Sequence, residues 1–119
     1  MDDFYHIVQT DAAAGRFSAV IRFNKDHAIF KGHFPGSPVV PGVCMIRLVH
    51  ELMEAGRSVK LKLSSADNIK FLAVIDPREI SDVSVNVDYT LRENRYQVQA
   101  SIFFRQVVYF KLKGIFTII

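Results

Sequence analysis

The segment KGHFPGSPVVPGVCMIRLVHELME, residues 31–54, decides the fold of this chain, because a rigid irregular stretch runs directly into a helical pattern. Proline fixes its own backbone and lacks an N–H, and glycine favours no regular element, so residues 24–40 are predicted to be irregular. Pro41 suits the first position of a helix, and Gly56 suits the residue that follows one. The sequence therefore predicts a helix that starts near Pro41 and stops at Gly56.

Polar side chains occupy one narrow stripe of this predicted helix. They follow the i, i+3, i+4, i+7 spacing of a single helical face, and they are Arg47, His50, Glu51 and Glu54. The other positions are apolar or small, so most of the helix surface should be buried. We therefore expect the rest of the chain to wrap around this helix.

Alternation of apolar and polar residues predicts strands in most of the remaining sequence. The stretch DAAAG at 11–15 should connect the first two strands, and RENR at 92–95 should turn the chain between two later ones. The predicted strands cover 4–10, 17–23, 59–63, 67–74, 83–89, 96–104 and 107–118. An antiparallel sheet of roughly five to seven strands can bury one face on the helix, which predicts an α+β domain.

The composition is that of a folded protein. A chain of 119 residues that is 50% hydrophobic and 23% charged suits one domain spanning residues 1–119. The net charge of +3 comes from scattered basic residues rather than a run of like charges, which argues against a nucleic-acid partner. Cys44 is the only cysteine, so no intrachain disulfide can form, and no spacing typical of a metal site is found.

The sequence also lacks membrane and export signals. No apolar run approaches the roughly 20 residues that cross a bilayer. The N-terminus, Met-Asp-Asp, lacks the basic-then-apolar pattern of a signal peptide. We therefore expect a cytoplasmic protein without a membrane span.

The stretch GHFPGSPVVPGV, residues 32–43, resembles the signature of the β-hydroxyacyl-acyl carrier protein dehydratases. NIKFLAVIDPRE, residues 68–79, resembles the segment around the third strand of that family. The resemblance implies a hot-dog fold, in which a curved antiparallel sheet wraps around one long central helix. It also implies a dimer with the active site at its interface, formed with a second copy or with a related hot-dog subunit, or a higher oligomer.

The resemblance further implies a substrate: a 3-hydroxyacyl thioester carried on the phosphopantetheine of acyl carrier protein or on CoA, with no bound cofactor. His33 would come from one subunit and take a proton from the carbon beside the thioester carbonyl, since neutral imidazole is available near pH 7. The N–H groups of Gly42 and Val43, which have no intrahelical partner, would come from the other subunit and stabilise the charge on that carbonyl.

Arg47 departs from the family pattern. It stands fourteen residues after His33, where the family has the glutamate or aspartate that protonates the leaving hydroxyl. Arginine stays charged in proteins and is a poor general acid. Three alternatives remain open: Glu51, one turn further on, serves as the acid; His33 works alone and returns its proton to the hydroxyl; or the site binds acyl chains without reaction. Arg47 and Glu51 also fit a plain ion pair.

Apolar residues near the motif are expected to line an acyl tunnel, and basic residues near its mouth could dock an acidic carrier protein. The first set is Phe34, Val39, Val43, Ile46 and Phe71, and the second is Lys31, Lys70 and Arg105. The favoured function is a divergent dehydratase in fatty-acid, polyketide or polyene-type lipid synthesis. The alternatives are an inactive or weakly active subunit that pairs with a complete dehydratase, and a thioesterase.

Overall fold

The computed structural model describes residues 3–32, 36 and 38–119, and within them one antiparallel sheet packs on one main helix. The sheet has six strands in the order β1-β2-β4-β5-β6-β3, and every neighbouring pair is antiparallel. The strands are β1 (Tyr5–Ala13), β2 (Arg16–Phe23), β3 (Leu61–Phe71), β4 (Asp82–Arg92), β5 (Arg95–Phe104) and β6 (Val107–Ile118), and the helices are α1 (Ile29–Gly32) and α2 (Gly42–Arg57). This is the architecture of the hot-dog fold, as expected.

The core lies between one face of the sheet and α2. Every second residue of a strand points to that face, so the alternation read from the sequence becomes burial, as in Val83, Val85 and Val87 of β4. The helix contributes its buried side, made of Cys44, Met45, Leu48, Val49, Leu52 and Met53. Burying each side chain of this size contributes about 1.5–3 kcal/mol, which makes this interface the main stabilising feature of the domain.

The helix ends later than the sequence predicted. It continues through Arg57, and the residue that follows it is Ser58, in the left-handed conformation (φ 55°, ψ 45°). Gly56 remains helical, and an added Cβ would make a tight contact there, 3.3 Å from Cε1 of Phe17. The expectation that the helix is wrapped on nearly every side is also too strong, since Val43 is 70% exposed and Ala55 is exposed.

The two strands predicted at 59–63 and 67–74 are one strand. β3 keeps its pairing with β6 across two bulges, one between Leu63 and Ser65 and one between Ala66 and Asn68. Each bulge inserts an extra residue and shifts the alternation of apolar and polar side chains, so the sequence pattern predicts two strands instead of one. Gly114 of β6 faces the first bulge so closely that a Cβ there would lie 2.5 Å from the carbonyl oxygen of Ser65.

Two local predictions need smaller corrections. The stretch 24–40 is not wholly irregular, because the short helix α1 forms within it and buries Phe30. The first hairpin is tighter than DAAAG suggested: the strands extend to Ala13 and from Arg16, so only two residues form the turn. Gly15 permits this turn because its φ is +72°, a conformation that suits glycine.

Candidate active site

The tip of α2 carries two amide groups that find no acceptor among the described residues. Pro41 precedes the helix in an extended conformation and provides no side-chain cap, and its carbonyl accepts the N–H groups of Cys44 and Met45. Within the described part of the chain, the N–H groups of Gly42 and Val43 have no acceptor. Both therefore remain available to a ligand oxygen, and the helix dipole favours negative charge at this end.

The ring of Phe71, at the end of β3, lies against this tip. A Cβ added to Gly42 would stand 2.7 Å from Cε1 and 2.9 Å from Cζ of that ring, so only glycine leaves the ring its present place. Phe71 also packs on Phe110, with ring centroids 5.4 Å apart, yet it remains 54% exposed. The structure thus brings together two of the residues predicted for the site, Gly42 and Phe71.

Exposed apolar side chains also lie near this tip. Val40 donates its N–H to the carbonyl oxygen of Ile75 at 2.9 Å, which holds segment 72–75 beside the start of α2. We call the exposed residues here the tip patch, and they are Val43, Phe71, Leu72 and Val74. Large apolar side chains grouped on a surface commonly mark a site of contact with another molecule.

The carboxylate of Glu51 is held by two side chains on the stripe side of α2. Tyr5, at the start of β1, donates its hydroxyl hydrogen to Oε1 of Glu51 at 2.8 Å. Arg47 donates from Nε to Oε2 at 3.1 Å, so the predicted ion pair forms. Arg47 is largely exposed and Glu51 is half-buried, so the arginine forms the outer layer of this cluster.

These contacts set the protonation of the cluster. Burial by itself raises the pKa of Glu51. The hydrogen-bond donors around its carboxylate, Tyr5 and Arg47 among them, lower the pKa by a larger amount, so it lies below its ordinary value. Burial and the hydrogen bond to Glu51 both raise the pKa of Tyr5 well above its usual range. Glu51 is therefore ionised at neutral pH, which makes it a weak proton donor for a leaving hydroxyl.

His50 belongs to the scaffold rather than to a reactive cluster. Its Nε2 lies 2.8 Å from the carbonyl oxygen of Leu61, so this nitrogen carries a proton and donates it. Oε2 of Glu54 accepts the N–H of the same Leu61 at 2.8 Å. Together these two side chains fasten α2 to the start of β3. Cys44 is buried, and burial raises the pKa of its thiol, which keeps it unreactive.

The other predicted site residues divide into two groups. His33 and Phe34 lie outside the described residues, so their expected roles stay predictions. Val39 and Ile46 are half-buried, and Ile46 packs against the core from the tip half of α2. Among the described residues, no group of three histidine, cysteine or carboxylate side chains could hold a metal ion.

Sequence reasoning missed Tyr5 and part of the basic surface. Tyr5 is 46 positions from Glu51, so no local spacing could have linked the two. The register of β3 and β6 places Lys70 directly opposite Lys111, with Lys113 two residues further along β6. No acidic side chain of the described chain pairs with these lysines. We call these three residues the lysine cluster, and they border a depression of about 400 Å³ on the outer face of the sheet.

The fold and the helix tip define a class of protein, the hot-dog proteins of the dehydratase type. Within that class, this chain belongs to the ApeI-like dehydratase family, whose model, described as ApeI dehydratase, matches residues 9–107. The resemblance read from GHFPGSPVVPGV is thereby confirmed as a family relationship. In the described part of the chain, no helix combines the length and apolar character needed to traverse a bilayer.

Curated relatives carry the name 3-hydroxyacyl-[acyl-carrier-protein] dehydratase FabZ. The protein from Dinoroseobacter shibae is 31% identical over 74 residues, and the one from Oenococcus oeni is 33% identical over 75 residues. Each alignment covers 55% of this chain, and they cover 44% and 51% of the two relatives. The chain therefore spans about half the length of the curated relatives it matches.

Solved structures agree on the fold. A chain of the dehydratase heterocomplex ApeI:P from Xenorhabdus doucetiae superposes with a TM-score of 0.76 at 16% identity, over 94% of this chain and 96% of that one. An HP0420 homologue from Helicobacter felis gives a TM-score of 0.69 at 12% identity, over 99% and 90%. At such identities the likeness establishes the fold and nothing finer.

Proposed function

We propose that this protein is a divergent dehydratase that removes water from 3-hydroxyacyl thioesters in fatty-acid, polyketide or polyene-type lipid synthesis. The observation that carries the proposal is the tip of α2: the last two residues of the family motif, Gly42 and Val43, have amides without an acceptor among the described residues, and the exposed ring of Phe71 lies against Gly42. A thioester carbonyl is a suitable occupant, because its oxygen gains negative charge when the neighbouring carbon loses a proton.

The reaction needs one proton removed and one delivered. His33 takes a proton from the carbon beside the thioester carbonyl, and the electron pair moves toward the carbonyl oxygen, where the amides of Gly42 and Val43 stabilise it. The pair then returns to form the carbon–carbon double bond, and the hydroxyl leaves as water after it accepts a proton. The products are a 2-enoyl thioester and one water molecule.

The residue that protonates the leaving hydroxyl has to differ in this chain from the one in the family pattern. Glu51 is ionised and paired, and Arg47 does not release protons at neutral pH. In the route that best fits this chemistry, the imidazolium of His33 returns its own proton to the hydroxyl. Arg47, exposed and held by Glu51, can then orient that hydroxyl or a neighbouring polar group by donating a hydrogen bond.

A second candidate is assembly with a related hot-dog subunit that supplies the missing acid. The arginine at the acid position favours it, and so does the tip patch, which a partner subunit would cover. One structurally similar chain comes from a protein described as a dehydratase heterocomplex, ApeI:P. In this reading the chain itself is weakly active and contributes acyl binding.

The carrier that delivers the substrate would dock on basic residues. Acyl carrier proteins are acidic, and the lysine cluster gives Lys70, named from the sequence, two cationic neighbours. Lys31 is exposed at the end of α1, beside Lys25 and Arg78 around a shallow depression. Arg105 is exposed in the β5–β6 turn, where its guanidinium lies 5.0 Å from the centre of the Phe104 ring.

The decisive experiment incubates the protein with a 3-hydroxyacyl carrier thioester and follows the acyl mass. We expect loss of one water, and we expect His33→Ala to abolish it while His6→Ala, an exposed histidine on β1, does not. Release of the free acid would instead establish a thioesterase. Binding without any mass change would favour the partner-dependent subunit, which is then tested by adding a complete dehydratase.

Arg47→Glu tests the acid position directly. The variant places a carboxylic acid where the family has one, and the neighbouring Glu51 loses its cationic partner. Two carboxylates one turn apart raise each other's pKa, so one becomes able to donate a proton. We expect turnover to rise by about tenfold or more, in line with the usual contribution of a general acid. A lower rate would mean that Arg47 has a role of its own, and an unchanged rate would mean that the missing acid does not limit turnover.

A further inference from the structure

A second candidate binding site lies at the opposite end of α2. A groove of about 460 Å³ separates the β1–β2 hairpin from the last turns of the helix. Its walls are mainly apolar, with Ile7, Phe17, Leu52 and Ala55 among the lining residues, and Arg57 lines it as well. We call it the hairpin groove. The helix rises about 1.5 Å per residue, which puts Arg57 about 22 Å from the α2 tip.

Arg57 is fixed in place by two neutral rings. Its Nε donates to the hydroxyl of Tyr96 at 3.2 Å, and Nη1 donates to the hydroxyl of Tyr89 at 3.1 Å. The guanidinium carbon lies 5.0 Å from the centre of the Tyr89 ring and 5.8 Å from that of Tyr96. The side chain is therefore held in one orientation without any charge being neutralised.

No carboxylate pairs with Arg57 in the described part of the chain. Two of its five N–H groups donate to the tyrosines, which leaves three that can donate to a carboxylate. An arginine already held by its neighbours loses little freedom when it binds, and a planar guanidinium matches a carboxylate in two parallel hydrogen bonds.

We propose that the hairpin groove binds an amphipathic carboxylate, an alkyl chain with a single carboxylate head. The alkyl chain lies along Ile7, Phe17 and Leu52, and the head binds Arg57. Charge complementarity favours a carboxylate ligand, because an uncharged chain would form no ion pair with Arg57. This inference does not depend on the proposed dehydration, since the groove shares no residue with the helix tip.

Asp11 makes it possible to test the sign of the charge on the ligand head group. It also lines the groove, and it forms no salt bridge with Arg57. An anionic head must bind near this like charge, whereas a cationic head would be attracted by it. Asp11→Asn should therefore strengthen binding of a carboxylate and weaken binding of an ammonium with the same alkyl chain.

The test titrates the protein with decanoate, kept below the concentration at which it forms micelles, and follows the side-chain NMR signals of Tyr89 and Tyr96. Acetate and decyltrimethylammonium serve as probes that lack the chain or reverse the charge. We expect saturable binding of decanoate alone. We expect Arg57→Gln to weaken it at least about tenfold, because hydrogen bonds between charged groups are lost.

Two further variants keep the test independent of any folding defect in Arg57→Gln. Ala55→Leu extends an exposed helix position into the groove with little change in helix propensity, and it should also reduce decanoate affinity. Asp11→Asn should increase it. Absence of saturable binding, or equal affinity in wild type, Ala55→Leu and Asp11→Asn, would overturn the proposal, as would tighter binding of the ammonium probe than of decanoate.

Discussion

At the scale of single residues, the pairing of Glu51 explains why a carboxylate on the polar stripe of α2 is a poor proton donor. Its two oxygens each accept a hydrogen bond, from Tyr5 and from Arg47. The lowered pKa means that the folded state favours the ionised form. The stabilisation is present above the ordinary pKa of the carboxyl group and is lost as the pH falls through the lower, folded-state value.

Tyr5→Phe should reveal this coupling. The variant removes one hydrogen bond to a charged group in a half-buried place, so we expect the free energy of unfolding at neutral pH to fall by about 1–2 kcal/mol. The pKa of Glu51 should rise, and the difference from wild type should shrink on acidification. Urea titrations across a pH series measure both effects. In a Glu51→Gln background the same change should cost less, and an equal loss in both backgrounds would contradict the coupling.

At the scale of elements, the two bulges of β3 and the glycine opposite them form one unit. Gly114 allows the bulged backbone near Ser65 to approach β6 more closely than any side chain would permit. The bulges in turn carry Phe71 to the tip of α2 while the strand remains paired along its length. The position of the candidate site thus depends on a contact on another strand.

Gly114→Ala should therefore be strongly destabilising. The new Cβ would meet a backbone carbonyl at 2.5 Å, and neither strand can move without breaking its pairing. We expect a loss of about 2–3 kcal/mol in the free energy of unfolding. Gly42→Ala is the matched control, because its Cβ would meet only the half-exposed ring of Phe71, which can turn away. Similar losses in the two variants would show that the contact between Gly114 and the backbone of β3 costs no more than a contact with a movable side chain.

At the scale of the whole molecule, the lysine cluster is a charge pattern that opposes stability. Lys70 and Lys111 face each other across neighbouring strands, and like charges in that arrangement repel. Such a pair is easier to understand if an acidic partner neutralises it. The positive charges of these residues therefore lower the stability of the fold but favour the proposed docking.

Lys111→Gln should separate the effect of this charge on stability from its effect on docking. We expect the free energy of unfolding to rise by about 0.2–1 kcal/mol, because repulsion is relieved. Affinity for acyl carrier protein should fall, and more so at low salt, where exposed charges interact over longer distances. Arg92→Gln, an exposed residue at the β4–β5 turn, removes the same charge and should leave carrier affinity unchanged. Equal losses of affinity in both variants would indicate net charge rather than docking.

The sequence was informative wherever one local pattern decided the structure. The period of β4, β5 and β6, the start of α2 and the motif at 32–43 led to the correct fold and family. It failed where the local pattern was misleading: the helix continues past Gly56 to Arg57, and the bulges of β3 hide the continuity of that strand. The pairing of Tyr5 with Glu51 could not be read from spacing at all.

The tip patch has a consequence for enzyme kinetics. Its apolar residues lie close to the amides of Gly42 and Val43, which have no acceptor among the described residues, so in a lone subunit those amides face water and a thioester must compete with it. Covering the patch with a second subunit would exclude that water. We therefore expect the rate per subunit to decline when the protein is diluted and to recover when it is concentrated again, as assay progress curves at a series of dilutions would record.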